Sequence, residues 1–213
     1  MEDEIKAIIF DIGGVLQLKE KQRKSFDQKH SSGIHEEAAK KLNIDLDQYF
    51  DSIDTLYAKS IEGKISKKEL LKQLSSNLNS TPKKIEELFF NLYKKEFHLN
   101  KQLFKQAIKL KKNGYKISIL SDQWHLSKAV HFPKILQKNF HPSIISCDVG
   151  IRKPNPKIYK LILKKLKLKS EQCLFIDNQE WNIAPANKLG IKTILFKSNK
   201  QLFKQPVWRG LFL

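Results

Sequence analysis

The sequence predicts an α/β fold in which crossover helices connect the strands of a parallel sheet. Five short apolar runs have the composition of buried strands, namely residues 5–10, 115–120, 144–147, 173–176 and 193–196. Helical stretches separate the last four runs. Such alternation is typical of βαβ units, whose strands run parallel because each crossover brings the chain back to the same edge of the sheet.

The first predicted strand ends in a carboxylate followed by two glycines. Residues 7–10 are apolar, Asp11 comes next, and Gly13 and Gly14 follow after one further residue. Glycines permit backbone conformations that other residues avoid, as a tight turn beside a ligand requires. Asp11 therefore stands at the carboxyl end of a central strand, where open α/β sheets bind ligands. A carboxylate in this place can attack phosphorus or carbon, or bind a hard cation.

The later helices have recognisable ends. Residues 101–113 carry an apolar stripe that stops at Gly114, a residue favoured just after a helix. Asn155 is a suitable N-cap for the next helix. The last crossover helix is predicted over residues 181–189, and Pro185 fits it only in the first turn, where no backbone N–H is needed.

About a hundred residues separate the first two predicted strands, and no strand is predicted among them. Four stretches in this region have the amphipathic pattern of helices, namely residues 36–42, 48–59, 67–74 and 83–95. We interpret the region as an inserted helical cap over residues 18–95, and residues 1–17 and 96–213 as the core domain. Residues 18–34 are polar, and we expect part of that stretch to be mobile.

The net charge of +18 raises the question of a nucleic-acid partner. Only three of the 40 basic residues are arginines, and arginine is the residue favoured for bidentate contacts to phosphate and guanine. The lysines are spread along whole helices and have the pattern of solvated faces. We therefore expect no sequence-specific nucleic-acid partner, and at most nonspecific attraction to polyanions.

Composition and cysteine usage favour a cytoplasmic protein. The chain of 213 residues is 40% hydrophobic, enough for one core domain with an insertion. No apolar run approaches the roughly 20 residues of a membrane span. The acidic start, residues 1–4, argues against a secretory signal. Cys147 and Cys173 could form a disulfide, but two buried thiols in a reducing compartment are the favoured interpretation.

Polar side chains also follow the second, third and fourth predicted strands. The second strand is followed by Ser121 and Asp122, the third by Lys153, and the fourth by Asp177 and Asn178. Strand ends of a parallel sheet converge on one edge, so we expect these side chains to approach Asp11. A nucleophilic acid, a hydroxyl, a fixed cation and a second acid form a coherent phosphoryl-transfer site. Trp124, His125 and Trp181 follow these residues closely and are candidates for the pocket wall, with a surface or packing role favoured over catalysis for His125.

These runs resemble the four motifs of the haloacid dehalogenase (HAD) superfamily of aspartate-nucleophile hydrolases. The similar segments are residues 10–16, residues 120–122, residues 150–154 with Tyr159, and residues 175–178 with Asn182 and Gly190. The resemblance implies a Rossmann-like parallel sheet with helices on both faces and a small helical cap. Within that branch, Gly13 and the Gly-x-Arg-Lys-Pro run look most like sugar-phosphate phosphatase-like proteins, including those acting on glucose 1-phosphate.

The resemblance also implies a reaction and roles for its residues. Asp11 would attack the phosphorus of a small phosphorylated metabolite and form an aspartyl-phosphate. Ser121, Asp122 and Lys153 would lie at the phosphoryl group, where Lys153 would also neutralise the charge on Asp11.

A magnesium ion is the implied cofactor. Its ligands would be Asp11, the backbone carbonyl of Gly13, Asp177 and Asn178, since this hard cation prefers oxygen.

Two departures from the family pattern leave alternatives open. Most family phosphatases carry a second aspartate where Gly13 stands, and it protonates the leaving oxygen, a contribution of ~10²–10⁴-fold. Asn178 replaces a usual metal-binding aspartate, so magnesium should bind more weakly. The alternative is a catalytically impaired phosphate-binding or interaction protein. A 2-haloacid dehalogenase is less favoured, because only Arg23 lies near the first motif to hold a substrate carboxylate. The sequence indicates neither the substrate nor the oligomeric state.

Overall fold

The computed structural model describes residues 4–19 and 33–212. In chain order its elements are β1 (Ala7–Phe10), β2 (Gln17–Lys19), α1 (Ile34–Leu42), α2 (Leu46–Ile61), α3 (Lys67–Asn77), α4 (Pro82–Glu96), β3 (Phe97–Leu99), α5 (Lys101–Lys112), β4 (Lys116–Ser121), α6 (His125–His131), α7 (Lys134–Asn139), β5 (Ser143–Ile145), α8 (Ser146–Val149), α9 (Pro156–Leu166), β6 (Cys173–Asp177), α10 (Glu180–Lys188), β7 (Lys192–Leu195), α11 (Asn199–Leu202) and α12 (Pro206–Gly210). Arg23 and most of the polar stretch 18–34 lie outside the described residues.

Five of the strands form a parallel sheet in the order β5–β4–β1–β6–β7. The chain builds outward from β1 through β4 to β5, then returns to the other side of β1 for β6 and β7. The strand order therefore reverses between β1 and β6, which is the switch point where sheets of this kind bind ligands. The predicted α/β class with a parallel, Rossmann-like sheet is confirmed.

Apolar side chains cover both faces of the sheet. Along β1, Ile8 and Phe10 lie in one buried cluster, which also holds Leu103 of α5 and Leu136 of α7. The alternate β1 residues lie in a second cluster with Ile158, Tyr159 and Ile162 of α9 and Ala186 of α10; they are Ala7 and Ile9. Since successive side chains of a strand point to opposite faces, the two clusters place helices on both sides of the sheet, as predicted.

A third apolar cluster holds the helices between β2 and β3. Helices α1 to α4 contribute most of it, and they fall where the amphipathic patterns predicted helices. The cluster also contains Trp124 and Leu126, which follow β4 in the chain. Trp124 donates from Nε1 to the Tyr93 hydroxyl at 2.9 Å, and its ring centroid lies 5.0 Å from that of Phe89. Trp124, two residues after the second motif, thus packs into the helical cluster. The domain boundary at residue 95 stays a prediction.

A two-stranded antiparallel ribbon joins the ends of the helical insertion. Gln17 pairs with Leu99, and Lys19 pairs with Phe97. The prediction that no strand lies in this part of the chain was wrong. Each strand has only three residues, too few to show a periodic pattern, and its partner lies about 80 residues away along the chain.

Two local predictions also need correction. Pro185 lies inside α10, at its sixth residue and not in its first turn. The helix therefore continues without the backbone donor that would have bonded the carbonyl of Trp181. The third strand ends at Ile145, and a short helix begins at Ser146. The Ser146 hydroxyl bonds the Gln123 backbone, accepting from its N–H at 3.0 Å, and side-chain bonds of this kind compete with strand pairing.

Two further predictions concern cysteine pairing and membrane insertion. Cys147 and Cys173 are both buried and unpaired, as the favoured interpretation predicted. Among residues 4–19 and 33–212, the structure has no helix of the length and apolarity needed to cross a membrane.

Candidate active site

Four predicted site residues meet at the switch point of the sheet. Asp11 directly follows β1, and its backbone N–H donates to the Ile176 carbonyl of β6 at 2.9 Å. Ser121 is the last residue of β4 and Asp177 the last of β6. Lys153 comes from the loop between α8 and α9. All four side chains are buried. Lys153 contacts both Asp11 and Asp177, so these strand ends meet at one edge of the sheet, as the sequence predicted.

The Lys153 ammonium lies between the two carboxylates. Its Nζ donates to Asp177 Oδ2 at 2.6 Å, to Asp11 Oδ1 at 3.0 Å and to the Leu120 carbonyl at 3.2 Å. These three bonds use all three ammonium donors. Burial alone would lower the pKa of Lys153, but the charges of Asp11 and Asp177 outweigh it and raise the pKa. Lys153 is therefore a permanent cation at the bottom of the site.

The environment of Asp11 leaves it ionised at neutral pH. Its pKa is raised to about 6 as the net result of burial and the Asp177 charge, which raise it, and the Lys153 charge, which lowers it. A hydrogen bond from the Ser121 hydroxyl also lowers the pKa of Asp11. At pH 7 the side chain is thus mostly a carboxylate, the form that can act as a nucleophile.

Asp122 holds the loop that carries Lys153. Its Oδ1 accepts from the backbone N–H of Lys153 at 3.1 Å. Burial raises the pKa of Asp122, and the Lys153 charge lowers it. The family resemblance implies that Asp122 lies at the phosphoryl group. The contact seen here shows that Asp122 also positions the backbone of Lys153.

Asp177 is fixed by neighbours on both sides. It accepts from the Gln179 backbone N–H at 2.8 Å and from Asn182 Nδ2 at 3.1 and 3.2 Å. Asn182 is itself held by Tyr159, whose hydroxyl donates to the Asn182 carbonyl at 2.9 Å. The residues that accompany the third and fourth motifs therefore support the second carboxylate.

A buried chain of hydrogen bonds, not predicted from the sequence, links Ser121 to Gln123, Ser127 and His131. Gln123 Nε2 donates to Ser121 Oγ at 3.0 Å, and Gln123 Oε1 accepts from Ser127 Oγ at 2.7 Å. The same Oε1 lies 2.9 Å from His131 Nδ1. Because Ser121 accepts from Gln123, its own O–H is free to donate toward Asp11. The spacing of four residues places Ser127 and His131 on one face of α6, but Gln123 precedes that helix, so no sequence pattern indicated its contacts.

The site opens into a cavity of about 1100 Å³. Its wall includes Asp11, Gly13, Asn178, Trp124 and Trp181, so both predicted tryptophans line it. His125 is not part of the wall; its Nδ1 bonds the Ser60 hydroxyl at 2.8 Å, which is the packing role favoured above. Arg152 lines the cavity. From the sequence only Arg23 is a candidate, because it is the arginine near Asp11 in the chain, whereas Arg152 is distant in the chain and near in the structure.

The donor set of the site suits a hard cation. No group of three or more His, Cys, Asp and Glu side chains able to hold a metal occurs in residues 4–19 and 33–212. The oxygens available are the carboxylates of Asp11 and Asp177 with the neutral amide of Asn178 and carbonyl of Gly13. Asp11, Asp122 and Asp177 can carry three negative charges against the two of Lys153 and the more distant Arg152, and burial together with the Asp177 charge raises the pKa of Asp11. An oxygen-ligated divalent cation such as Mg²⁺ fits both the ligand type and the charge.

Comparison with known proteins decides the family. A model of the haloacid dehalogenase-like hydrolases matches residues 5–190. The chain belongs to this family. The HAD-like fold extends beyond the matched residues: a HAD family enzyme of Bacteroides thetaiotaomicron superposes with a TM-score of 0.74 at 20% identity, over 95% of this chain and 100% of that one. The same enzyme with magnesium and inorganic phosphate has a TM-score of 0.69 at 19% identity, over 94% and 100%.

Curated relatives of this HAD-like hydrolase match over part of their length. Bifunctional epoxide hydrolase 2 of Sus scrofa is 31% identical over 115 residues, 52% of this chain and 21% of the relative. Glyceraldehyde 3-phosphate phosphatase of Pyrococcus furiosus is 30% identical over 98 residues, 45% of this chain and 41% of the relative. The chain thus spans less than half of either relative, and phosphatases occur among its homologues.

Proposed function

We propose that this HAD-like hydrolase is a magnesium-assisted phosphatase that acts on a small phosphorylated metabolite through an aspartyl-phosphate. The observation that carries the proposal is the buried Lys153 ammonium, 3.0 Å from Asp11 and 2.6 Å from Asp177 at the switch point. Burying a lysine with two carboxylates carries a desolvation cost, and buried charges of this kind cluster at functional sites. A fixed cation beside a nucleophilic carboxylate is what phosphoryl transfer requires. The two unpaired thiols support a reducing, cytoplasmic setting.

The residues would divide the reaction as follows. An ionised Asp11 oxygen attacks phosphorus, and the bond from phosphorus to the leaving oxygen breaks. Ser121 donates to a phosphoryl oxygen, while Lys153 holds Asp11 in place and balances negative charge. Water then attacks phosphorus and the bond from phosphorus to Asp11 breaks, which restores Asp11 and releases inorganic phosphate, while the proton lost by water reaches the leaving-group oxygen through solvent. Magnesium, held by Asp11, Asp177, Asn178 and the Gly13 carbonyl, would supply positive charge to the phosphoryl oxygens.

The leaving oxygen receives no proton from position 13, since Gly13 has no side chain. We therefore expect acyl phosphates and activated sugar phosphates to react faster than simple alkyl phosphates, whose leaving oxygens are more basic. This order of reactivity distinguishes the proposal from a phosphatase that has a complete acid and base.

A substrate panel with and without magnesium tests the proposal. Asp11→Asn keeps the size of the side chain and removes the nucleophile. We expect phosphate release that requires magnesium and falls by at least ~10³-fold in Asp11→Asn. Absence of turnover on every ester and acyl phosphate, or turnover that survives Asp11→Asn, would contradict the proposal. Metal-independent halide release from a 2-haloacid would instead indicate a dehalogenase.

Gly13 favours a second candidate function, an impaired HAD-like protein that binds phosphate groups and hydrolyses phosphate esters only slowly. A Cβ on Gly13 would meet no atom within 4 Å outside its chain neighbours, so a side chain can begin at this position without a clash. If only that acid is missing, Gly13→Asp raises the hydrolysis of alkyl phosphates by ~10²–10⁴-fold. Gly13→Asn is the matched control, with the same size and no proton to give. Equal rates in the two variants would show that loss of the acid does not limit turnover.

A further inference from the structure

The cations in the cavity wall differ in how far they are already neutralised. Lys153 is saturated by two carboxylates and a carbonyl. Lys19 pairs with Glu96 at 3.0 Å. Arg152 lines the same cavity, and no carboxylate within the described ranges lies inside ion-pair distance of it. Lys197 and Lys200 also line the cavity with no carboxylate of the described chain at that distance, and Arg152 is the one of these three unpaired cations that carries a planar guanidinium.

Arg152 is placed to offer most of its donors to a ligand. It directly precedes Lys153 and is half-buried. Its Nε makes one long hydrogen bond, 3.4 Å to the Lys153 carbonyl. A guanidinium has five N–H donors in a planar fork, so the others remain for a ligand such as a carboxylate or phosphate. Asp122 and Glu62 attract Arg152 from a greater distance, but Asp122 Oδ1 is already bonded to the Lys153 backbone and Glu62 is paired with Lys64.

Tyr57 brings a second donor to the cavity from the helical side. It lies on α2, lines the cavity, and packs its ring against Trp124 with centroids 5.0 Å apart. Burial raises the pKa of Tyr57, and the Arg152 charge opposes this, so the two groups are within electrostatic reach. The phenol stays protonated at neutral pH, and no residue of the described chain hydrogen-bonds its hydroxyl.

We propose that Arg152 and Tyr57 bind a second anionic group of the substrate. The preferred substrates are then phosphate monoesters whose leaving group carries a carboxylate or another phosphate. The cavity of about 1100 Å³ is much larger than one phosphoryl group, and it has room for both ends of such a molecule. This inference rests on the proposed phosphatase function and narrows it to a substrate class.

Stable phosphonates test the subsite without turnover. Calorimetric titration in magnesium compares propylphosphonate, 3-phosphonopropanoate and propane-1,3-bisphosphonate, which differ in the group at the far end. We expect the carboxylate or the bisphosphonate to bind at least ~10-fold more tightly than propylphosphonate, the size of a charge-assisted hydrogen bond. Whichever of the two is preferred identifies the second anion.

Four variants assign the preference to these residues. Arg152→Gln should remove most of it, Arg152→Lys should retain part because a point charge lacks the planar fork, and Tyr57→Phe should cause a smaller loss. Lys164→Gln removes one positive charge from an exposed position of α9, away from the cavity, and should bind all three ligands as the wild type does. Thermal melting of each variant verifies folding.

The outcomes separate this inference from the phosphatase proposal. Equal binding of the three phosphonates to the wild type, or an equal loss for all three in Arg152→Gln, overturns the subsite. Turnover of simple esters with no preference for dianionic ones also overturns it while leaving the phosphatase proposal intact. A preference that depends on Arg152 in a protein without turnover supports the subsite and contradicts the phosphatase proposal.

Discussion

Gly13 and Gly14 are adjacent in the chain but stand in different surroundings. Gly14 has φ +79°, and a Cβ there would lie 2.5 Å from Asn178 Nδ2. Gly13 has neither constraint. Gly13 can thus be substituted without strain or a clash at Cβ. Gly14 cannot, because it has a left-handed conformation and lies in contact with Asn178, a candidate metal ligand.

Gly14→Ala should therefore lower stability and disturb magnesium binding. We expect a loss of about 1–2 kcal/mol in the free energy of unfolding, because a residue with a Cβ is strained in the left-handed region. Displacement of Asn178 should also weaken magnesium binding. Urea unfolding and metal titration measure both, with Gly13→Ala as the control. Equal effects at the two positions would contradict the difference in packing.

The buried His131 should make folding sensitive to acid. Its ring packs against Phe97 and Tyr93, with centroids 4.4 and 5.0 Å away, and Nε2 has no hydrogen-bond partner in the described chain. Burial lowers the pKa of His131 from 6.5 to about 4. The unfolded chain then binds the proton more readily, so stability present above pH 6.5 is lost as the pH falls toward 4.

For His131 the expected loss is about 2 kcal/mol at pH 5 relative to pH 7.5. His131→Gln removes the titrating group and should flatten the pH dependence by that amount, whatever its effect on stability at neutral pH. Urea unfolding of both proteins at the two pH values measures it. An unchanged pH slope in the variant would show that this histidine is not the group responsible.

At this scale, sequence reasoning found the residues that follow strands. Asp11, Ser121 and Asp177 could be placed because a parallel sheet brings its strand ends to one edge. Gln123 and Arg152 could not, because their contacts depend on how α6 and a loop fold back over the site. No local pattern specifies that path.

Among the elements, α10 contains an internal defect. Pro185 is its sixth residue, and the backbone N–H it lacks would have bonded the carbonyl of Trp181. The helix follows Asp177 and supplies Asn182, so the defect lies close to the second carboxylate.

Pro185→Ala should therefore stabilise the protein. Restoring one helical hydrogen bond and removing the ring clash is worth up to about 3 kcal/mol. The gain is reduced by about 0.4–1 kcal/mol because alanine leaves the unfolded chain more freedom. Thermal and urea unfolding measure the net effect. A lower melting temperature in the variant would mean that the proline ring is needed for packing.

The short elements were the ones that sequence reasoning could not predict. Long amphipathic helices such as α4 and α5 show a periodic pattern and were found with nearly correct ends. The β2–β3 ribbon has three residues in each strand and depends on pairing across the whole insertion. Its stability comes from tertiary contacts, so no local propensity indicates it.

For the whole molecule, the net charge of +18 allows at most nonspecific attraction to polyanions. Any retention on immobilised DNA at about 50 mM salt should be lost by about 200 mM, because binding of this kind is driven by counterion release. Two unrelated DNA sequences should give the same salt dependence. Retention of one sequence alone at the higher salt would indicate a specific partner and contradict our expectation.

The overall architecture was predictable because its signals are redundant. Several buried strands, their spacing and the polar residues at their ends all indicate the same parallel sheet, so an error in one leaves the fold unchanged. How the helical insertion contacts the core was not predictable. That contact runs through Trp124, which follows a core strand but packs into the helical cluster.

The ribbon that closes the insertion has an evolutionary consequence. Gln17 and Leu99 are paired neighbours, so the chain leaves the core and re-enters it at almost the same point. A segment with adjacent ends is a cassette: it can be exchanged for another without rerouting the sheet. The new segment would need to cover the core residues that the present one contacts, among them Trp124, Leu126 and His131. Under the proposed function, the part of the cavity wall that the insertion supplies can then change while Asp11 is inherited unchanged.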